Sequence, residues 1–540
     1  SMPFKALDSL VDALARHLLT LPALDLERLA PRDALALTRV FPVLRQIEAF
    51  TSTRRRAVVA PNPQEVRRRA FDAVRELVAR LADRQPLVLA IDDVQWGDAD
   101  SARLVGALLR QPDAPAVLVV LGHRSEGAAD SEFLRELGAQ TSAGVDARTI
   151  EVGPLAMNDA RKLACMHLGS ARVSDDRIDR LVRESGGVPY FIEELVRAAT
   201  DERRDGEAVP LAMDDLLRAR LARLPEAAAR LLATIAVAGR PLRQKLATRA
   251  AEVDDPAMLQ VLKAGGLVRG RSLAGDKAVE CYHDRVRETT VGTLSPDGLR
   301  ERHRRLAVAY EAAATPDPEA LAQHLAGAGD HVRAAEFAVQ AAERAAQTLA
   351  FERAAQMYRL ALALDPPNQP RTIHIALGEV LANAGRGAEA ADAFLSGMVG
   401  APAGEALDLE RRAARHLLLA GHIDRGLALL ACLLRQIGMR LPATPAGALW
   451  SLTWRRSWMA IRRLGHRERA EAELPASRLL EIDVAADVGN GLGLTAPIRA
   501  ADFHARYLRM ALAAGEPRRV ARALAGEAAF VAIAGVKVMA

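Results

Sequence analysis

Asp92 and Asp93 close a continuous apolar run, Leu87-Val88-Leu89-Ala90-Ile91. Carboxylates at the end of a buried strand stand where open α/β sheets bind their ligands. Two acids there can divide phosphoryl chemistry: one holds a hydrated Mg²⁺ beside nucleotide phosphates, and the other orients or activates the attacking water. The same two acids also suit an ordinary strand-ending turn. A second apolar run, Ala116 to Leu121, leads into Gly122-His123-Arg124 and brings a guanidinium to a comparable edge. Unbroken rather than alternating apolar runs, joined by a helix pattern over Ser101 to Arg110, predict a parallel sheet covered on both faces, hence an α/β unit.

These runs are set among helices. Apolar residues recur at helical spacing from Leu7 to Leu21, Gln64 to Leu81 is amphipathic, and helices dominate from Asp159 onward, broken by the turn Gly186-Gly187-Val188-Pro189. After the charged stretch Asp201 to Pro210, helical patterns cover Asp214 to Leu224, Pro225 to Ala238 and Pro256 to Ala264, with Pro225 and Pro256 as helix starters. The period then changes. Gly266 to Arg271 and Ala278 to Tyr282 predict two short strands around a turn at Ala274-Gly275-Asp276, and a hairpin appended to three helices is the winged-helix plan. From about Leu299 the pattern is all helix. Ala354, Tyr358, Ala361 and Pro366 sit at the offsets of the second helix of a tetratricopeptide unit. Ala390, Phe394, Gly397 and Pro402 repeat them 36 residues later, with Leu377 and Gly378 at first-helix positions and Gly426, Leu430 and Leu433 continuing more loosely. An irregular helical domain is the alternative.

Composition bounds the class. Over 540 residues, 50% are hydrophobic, 26% charged and only 4% aromatic, which fits a helix-rich multidomain protein. The formal net charge of +5 is small, with arginines interleaved among acids, so nucleic acid is not an expected partner; Arg269 and Arg271 on the hairpin read as solvated side chains. Cys165, Cys281 and Cys432 are too scattered for a metal site or disulfide framework, which leaves three buried thiols and a reducing, cytoplasmic compartment. No apolar run reaches the roughly 18 residues of a membrane span, and Ser1 to Leu10 lacks signal-peptide order, so no membrane association is expected. The start enters a helix pattern without a cap, and Ala528 to Ala540 stops without a terminator, as expected of a piece of a longer chain.

Leu87 to Asp98 resembles the Walker B segment of the signal-transduction ATPases with numerous domains (STAND), especially bacterial ones fused to serine/threonine protein kinases, adenylate cyclases or maltose-regulator-type transcription activators. The resemblance implies Asp92 as the Mg²⁺ ligand and Asp93 as the catalytic carboxylate. Ala116 to Arg124 is similar to the family's sensor strand, which implies that Arg124 faces the terminal phosphate. Gly186 to Leu195 resembles its Gly-x-Pro turn, placing Pro189 near the adenine. Tyr282-His283-Asp284 resembles its methionine-histidine-aspartate motif, which implies that His283 contacts the phosphates of ADP. From the residues alone, Arg124 also fits a solvated strand end, Pro189 a helix start, and His283 with Asp284 a cap or core pair.

One part of the family pattern is missing. A phosphate-binding loop needs a Gly-rich turn closed by Gly-Lys-Ser/Thr, yet none of Lys5, Lys162, Lys245, Lys263, Lys277 and Lys537 follows a glycine. In the family that loop lies just before a segment resembling Pro3 to Asp8, so the chain is expected to begin after it, with weak nucleotide affinity and next to no hydrolysis. Protein-kinase motifs are also absent. The expected organisation is an incomplete α/β P-loop NTPase core over 1–205 with a helical lid from about 155, a winged-helix-like domain over 206–298, and an all-α tetratricopeptide-like solenoid over 299–540. The expected role is a regulatory ATP/ADP- and Mg²⁺-dependent switch and protein-interaction platform of a bacterial signalling protein, first a serine/threonine kinase, with protein partners on the repeats and possible self-assembly. The alternatives are part of a transcription activator or cyclase-linked protein, and a scaffold with a decayed nucleotide site.

Overall fold

The computed structural model describes residues 4–51, 62–125, 127–141, 145–169, 174–205, 213–273, 276–364, 370–442, 444–462, 465–493 and 496–533. Pro366, Pro210, the turn residues Ala274 and Gly275, and the last part of Ala528 to Ala540 lie outside them. The chain divides into two compact units, 1–34 with 41–53 and 71–341, and 35–40 with 54–70 and 342–540.

In the first unit the two apolar runs become strands β1 (Leu87–Ile91) and β2 (Val117–Leu121), paired in parallel with Leu87 opposite Val117 and Ile91 opposite Leu121. The helix Ala99–Leu109 makes the crossover. It starts at Asp98, whose carboxylate accepts the Ser101 amide at 2.8 Å and the Ser101 hydroxyl at 2.8 Å, satisfying donors that a helix start otherwise leaves open. The expectation of cover on both sheet faces is corrected: Val88, Leu118 and Val120 are 57%, 60% and 48% exposed, while Ile91 is buried. Alternate residues of a strand face opposite ways, so the described elements cover one face only.

Three helices follow, Met157–Leu168, Asp175–Glu184 and Pro189–Asp205, around a core that includes Ala160, Ala164, Leu181, Ile192 and Leu195. Next come the helices Glu226–Ala238, Gln244–Ala251 and Ala257–Ala264 with an antiparallel sheet of β3 (Leu242–Arg243), β4 (Val268–Leu273) and β5 (Asp276–Cys281), in the order β3-β5-β4. The hairpin is as expected; β3 and the helix Gln244–Ala251 are additions to the sequence reading. Asp284–Gly292 continues directly from β5.

The second unit is helical. Phe351–Ala363, Pro370–Ala384, Gly387–Gly397, Ala403–Leu419 and Ile423–Gln436 each pack on the next. The positions with tetratricopeptide offsets are the packing positions: Ala354, Ala361 and Ala390 are fully buried, and Phe394, Leu430 and Leu433 are at most 2% exposed. Small residues at these positions let helix axes approach, which is the physical content of the repeat offsets. Ala476–Gly491, Pro497–Ala514 and Pro517–Ile533 close the unit around Ile482, Phe503 and Leu508. Among the described residues no helix is long and apolar enough to cross a membrane.

Candidate functional site

The end of β1 is shaped by three local constraints. Asp92 accepts the amide of Asp93 at 2.9 Å, and Asp93 itself adopts the left-handed region at φ 56°, ψ 36°. Asp tolerates that region better than most residues, at a cost of about 1–2 kcal/mol that the surroundings must supply. The third constraint is Gly122 at the end of β2, where an added Cβ would lie 2.4 Å from Oδ1 of Asp92. Glycine there keeps the carboxylate in place. Backbone bonds from Gly122 to Ile91 (2.8 Å) and from Val94 to Gly122 (3.0 Å) carry the strand pairing past both strand ends and lock the loops together.

Gln95 ties the two loops by side chain. Its amide nitrogen donates to Asp93 at 3.1 Å, and its carbonyl oxygen accepts from the backbone of Arg124 at 3.4 Å. Arg124 reaches from β2 in two directions, with Nε 3.9 Å from Asp93 and Nη1 2.9 Å from Asp284. Asp284 opens the helix after β5, where a negative charge is favoured by the helix dipole.

The turn at Gly186-Gly187 needs glycine twice, at φ 58° and 76°, and directs the chain into the helix that begins at Pro189. The first turn of that helix lays Tyr190 against His283, with ring centroids 4.5 Å apart and planes 3° from parallel, and Tyr282 stacks on Tyr190 at 5.9 Å. Below them Glu194, 2% exposed, bonds Arg197 at 3.1 Å and also Arg220, and both arginines donate to the carbonyl of Gly265. That buried cluster fixes the helix Pro189–Asp205 on the turn before β4.

Burial, and then the Arg124 charge, push the His283 pKa down from its ordinary value, so the ring is neutral at neutral pH. Its Nδ1 accepts the amide of Arg285 at 3.1 Å and caps the helix, which leaves the single ring proton on Nε2. The Tyr190 hydroxyl is buried without a hydrogen-bond partner among the described residues, and burial raises its pKa.

Asp92, Asp93, Arg124, Pro189 and His283 all line one open cleft of roughly 1370 Å³, together with Lys5, Tyr190, Glu193 and Arg240. Among the described residues no cluster of three His, Cys, Asp or Glu side chains is set to hold a metal ion. Mg²⁺ beside phosphates is usually held through one or two carboxylates and the ligand's own oxygens, a set for which no such cluster is required. Sequence reasoning missed Tyr190, Gln95 and Glu194 as contributors. Asp98 was within reach of it, since Asp98 three residues before Ser101 is a helix-start signal. Arg269 and Arg271 are not simply solvated: Glu280 bonds Arg269 at 2.7 Å and Arg271 at 3.2 Å. The expectation of three buried thiols is also corrected, because Cys165 is exposed and Cys281 and Cys432 are half-buried.

Residues 2–120 match the family model described as an AAA ATPase domain. An uncharacterized protein of Rhizobium meliloti is 27% identical over 323 residues, covering 56% of this chain and 30% of that protein. A structural comparison pairs the chain with a Signal Transduction ATPase with Numerous Domains carrying a tetratricopeptide repeat sensor, from Pyrococcus horikoshii. The two share 13% identity at a TM-score of 0.39, over 82% of this chain and 64% of that one. The chain thus spans less than two thirds of either relative. Over residues 2–120 it is similar to the AAA ATPase domain family.

Proposed function

We propose that the first unit is the Walker B side of a STAND-type nucleotide switch and that the helical second unit is its tetratricopeptide-like interaction platform. The observation that carries the reading is the convergence of Asp92, Asp93, Arg124, Pro189 and His283, from four separate stretches of sequence, on one cleft. Asp92, exposed and held by the Asp93 amide, would hold Mg²⁺, and Mg²⁺ would screen the charge of the phosphates. Asp93, steadied by Gln95, would orient the attacking water. Arg124 and the Nε2 proton of His283 supply a cation and a neutral donor for phosphate oxygens. Tyr190 and Tyr282 offer aromatic faces next to Pro189, on the side where a base would stack.

On this reading the three helices with β3, β4 and β5 form a winged-helix-like module, and Asp284 competes with phosphate for Arg124. Ligand that draws Arg124 away would loosen the module from the β1–β2 loops, which is how a bound nucleotide would change the state of the protein. The serine/threonine-kinase connection rests on the sequence resemblance alone; a kinase reading frame contiguous with this one would support it, and a helix-turn-helix domain would favour the transcription-activator reading.

The test is saturation-transfer NMR of ADP with the 540-residue chain, with and without Mg²⁺. Transfer to ADP that drops on Asp92→Ala and on Arg124→Ala supports the site. No transfer, or transfer indifferent to both substitutions, refutes it.

A further inference from the structure

The second unit holds a cavity of its own, roughly 940 Å³ in volume. That lies within the range of about 300–1,000 Å³ common for small-ligand sites. Its lining is unusual in charge. Arg411, Arg412 and Arg415 reach it from the helix Ala403–Leu419, Arg522 reaches it from Pro517–Ile533, and Glu379 is the acidic side chain facing them.

The arginines are unequally paired. Arg411, 14% exposed, bonds Asp408 at 2.6 Å and also Asp487. Arg412 bonds Asp408 at 2.7 Å and Glu379 at 3.1 Å, and lies over the Phe394 ring at 5.9 Å. These two are committed. Arg415 has a longer contact of 3.8 Å to Asp487, which is 3% exposed and already serves Arg411. Arg522 makes no ion pair among the described residues. Asp408, Asp487 and Glu379 therefore face four guanidiniums, and the surplus falls on Arg415 and Arg522. Next to them His416 stacks on Phe394 at 5.9 Å. Its pKa is pushed down to about 4 by burial and then by Arg415, Arg412 and Arg411, so it adds a neutral ring rather than another cation.

We infer that this cavity binds a ligand bearing a carboxylate or phosphate group, gripped by Arg415 and Arg522, with the rest of the ligand against the half-buried ring of His416. Guanidinium forks match the paired oxygens of such groups, and Arg411 and Arg412, held by carboxylates, keep the cavity wall in shape while adding to its positive field. The inference goes beyond the nucleotide reading and does not need it: none of Asp92, Asp93, Arg124, Pro189 or His283 lines this cavity. Loss of ADP binding would leave it standing.

The ligand can be a free small anion or an acidic peptide segment, and two probes separate these sources. The 540-residue chain is titrated with citrate by calorimetry and with a fluorescein-labelled hexaglutamate peptide by anisotropy. At least one probe binds, and Arg522→Glu and Arg415→Glu each weaken it by about tenfold or more, the scale of removing a charge-assisted contact. Arg522→Gln, at an exposed position, weakens it in the same direction should a charge reversal disturb folding. Arg435→Glu, an exposed position on Ile423–Gln436 outside the cavity, leaves binding unchanged. Citrate binding alone identifies a small-anion site, and tight hexaglutamate binding an acidic-peptide site. The inference is overturned if neither probe binds, or if Arg435→Glu weakens binding as much as Arg522→Glu.

Discussion

Arg124 holds Asp284 at 2.9 Å while standing 3.9 Å from Asp93, so one guanidinium joins the end of β2 to both the end of β1 and the helix that follows β5. The two side chains of the closer pair are 40% and 30% exposed, where ion pairs contribute about 0–1 kcal/mol. Asp284→Ala should therefore shift the urea midpoint little. It should speed amide exchange across β5 and the first turn of Asp284–Gly292, because the tie to β2 is lost. Exchange unchanged in that segment would show that the pair does not hold it.

Glu194 is the opposite case. It is 2% exposed and pairs with Arg197 and Arg220, so removing it leaves Arg220, 23% exposed, without its carboxylate, while Arg197 keeps Glu193 at 2.9 Å. Glu194→Ala should cost about 3–5 kcal/mol, as loss of one member of a buried charge cluster does. Urea unfolding monitored by circular dichroism reads this directly, and a loss below about 1 kcal/mol would mean the cluster is more hydrated than its burial implies.

Acid sensitivity should come from buried histidines. His324 is fully buried, 3.0 Å from the Nδ1 of His303, and its Nε2 has no hydrogen-bond partner among the described residues. Burial, then His303 and Arg240, push its pKa down to about 3. The unfolded ring protonates near 6.5, so between about 6.5 and 3 the unfolded chain binds more protons than the folded one, and stability falls as pH falls. Lowering pH from 7 to 5 should remove roughly 2 kcal/mol through this ring. His324→Phe should flatten that part of the profile; an unaltered slope would assign the acid sensitivity to other groups.

Hydrolysis should be at background. No lysine follows a glycine in this chain, so a phosphate-binding loop that would surround the β- and γ-phosphates is not among its residues. Phosphate release from ATP should equal buffer controls, for Asp93→Ala as for the parent chain. Turnover abolished by Asp93→Ala would mean that some other donor set completes the site.

The sequence made the strands legible where composition alone decides them. Leu87–Ile91 and Val117–Leu121 are unbroken apolar runs with acids or glycine at their ends, and their pairing in parallel followed from the helix between them. β3 is two residues long, too short to show a period, and the helix Gln244–Ala251 begins immediately after it. The repeat offsets marked packing positions because small residues at close helix contacts leave a signal in the sequence. Tyr190 against His283 left none. The contact joins residues 93 positions apart, and either side chain alone fits a surface role. The left-handed turn at Asp93 was likewise invisible, since the residue that permits its neighbour's position is Gly122, on the other strand. The cover of the sheet was misjudged because continuous apolar strands signal two buried faces, and Leu118 and Val120 have only one face covered by the described elements.

Photolabelling with 8-azido-ADP and Mg²⁺, mapped by mass spectrometry, tests the central claim most directly because covalent capture registers even weak occupancy. The labels should fall in the peptides holding Pro189 to Phe191 and Tyr282 to Asp284, compete with unlabelled ADP, and fade in Asp92→Ala. Labels scattered over the chain, or undiminished by Asp92→Ala, would contradict a nucleotide site in this cleft.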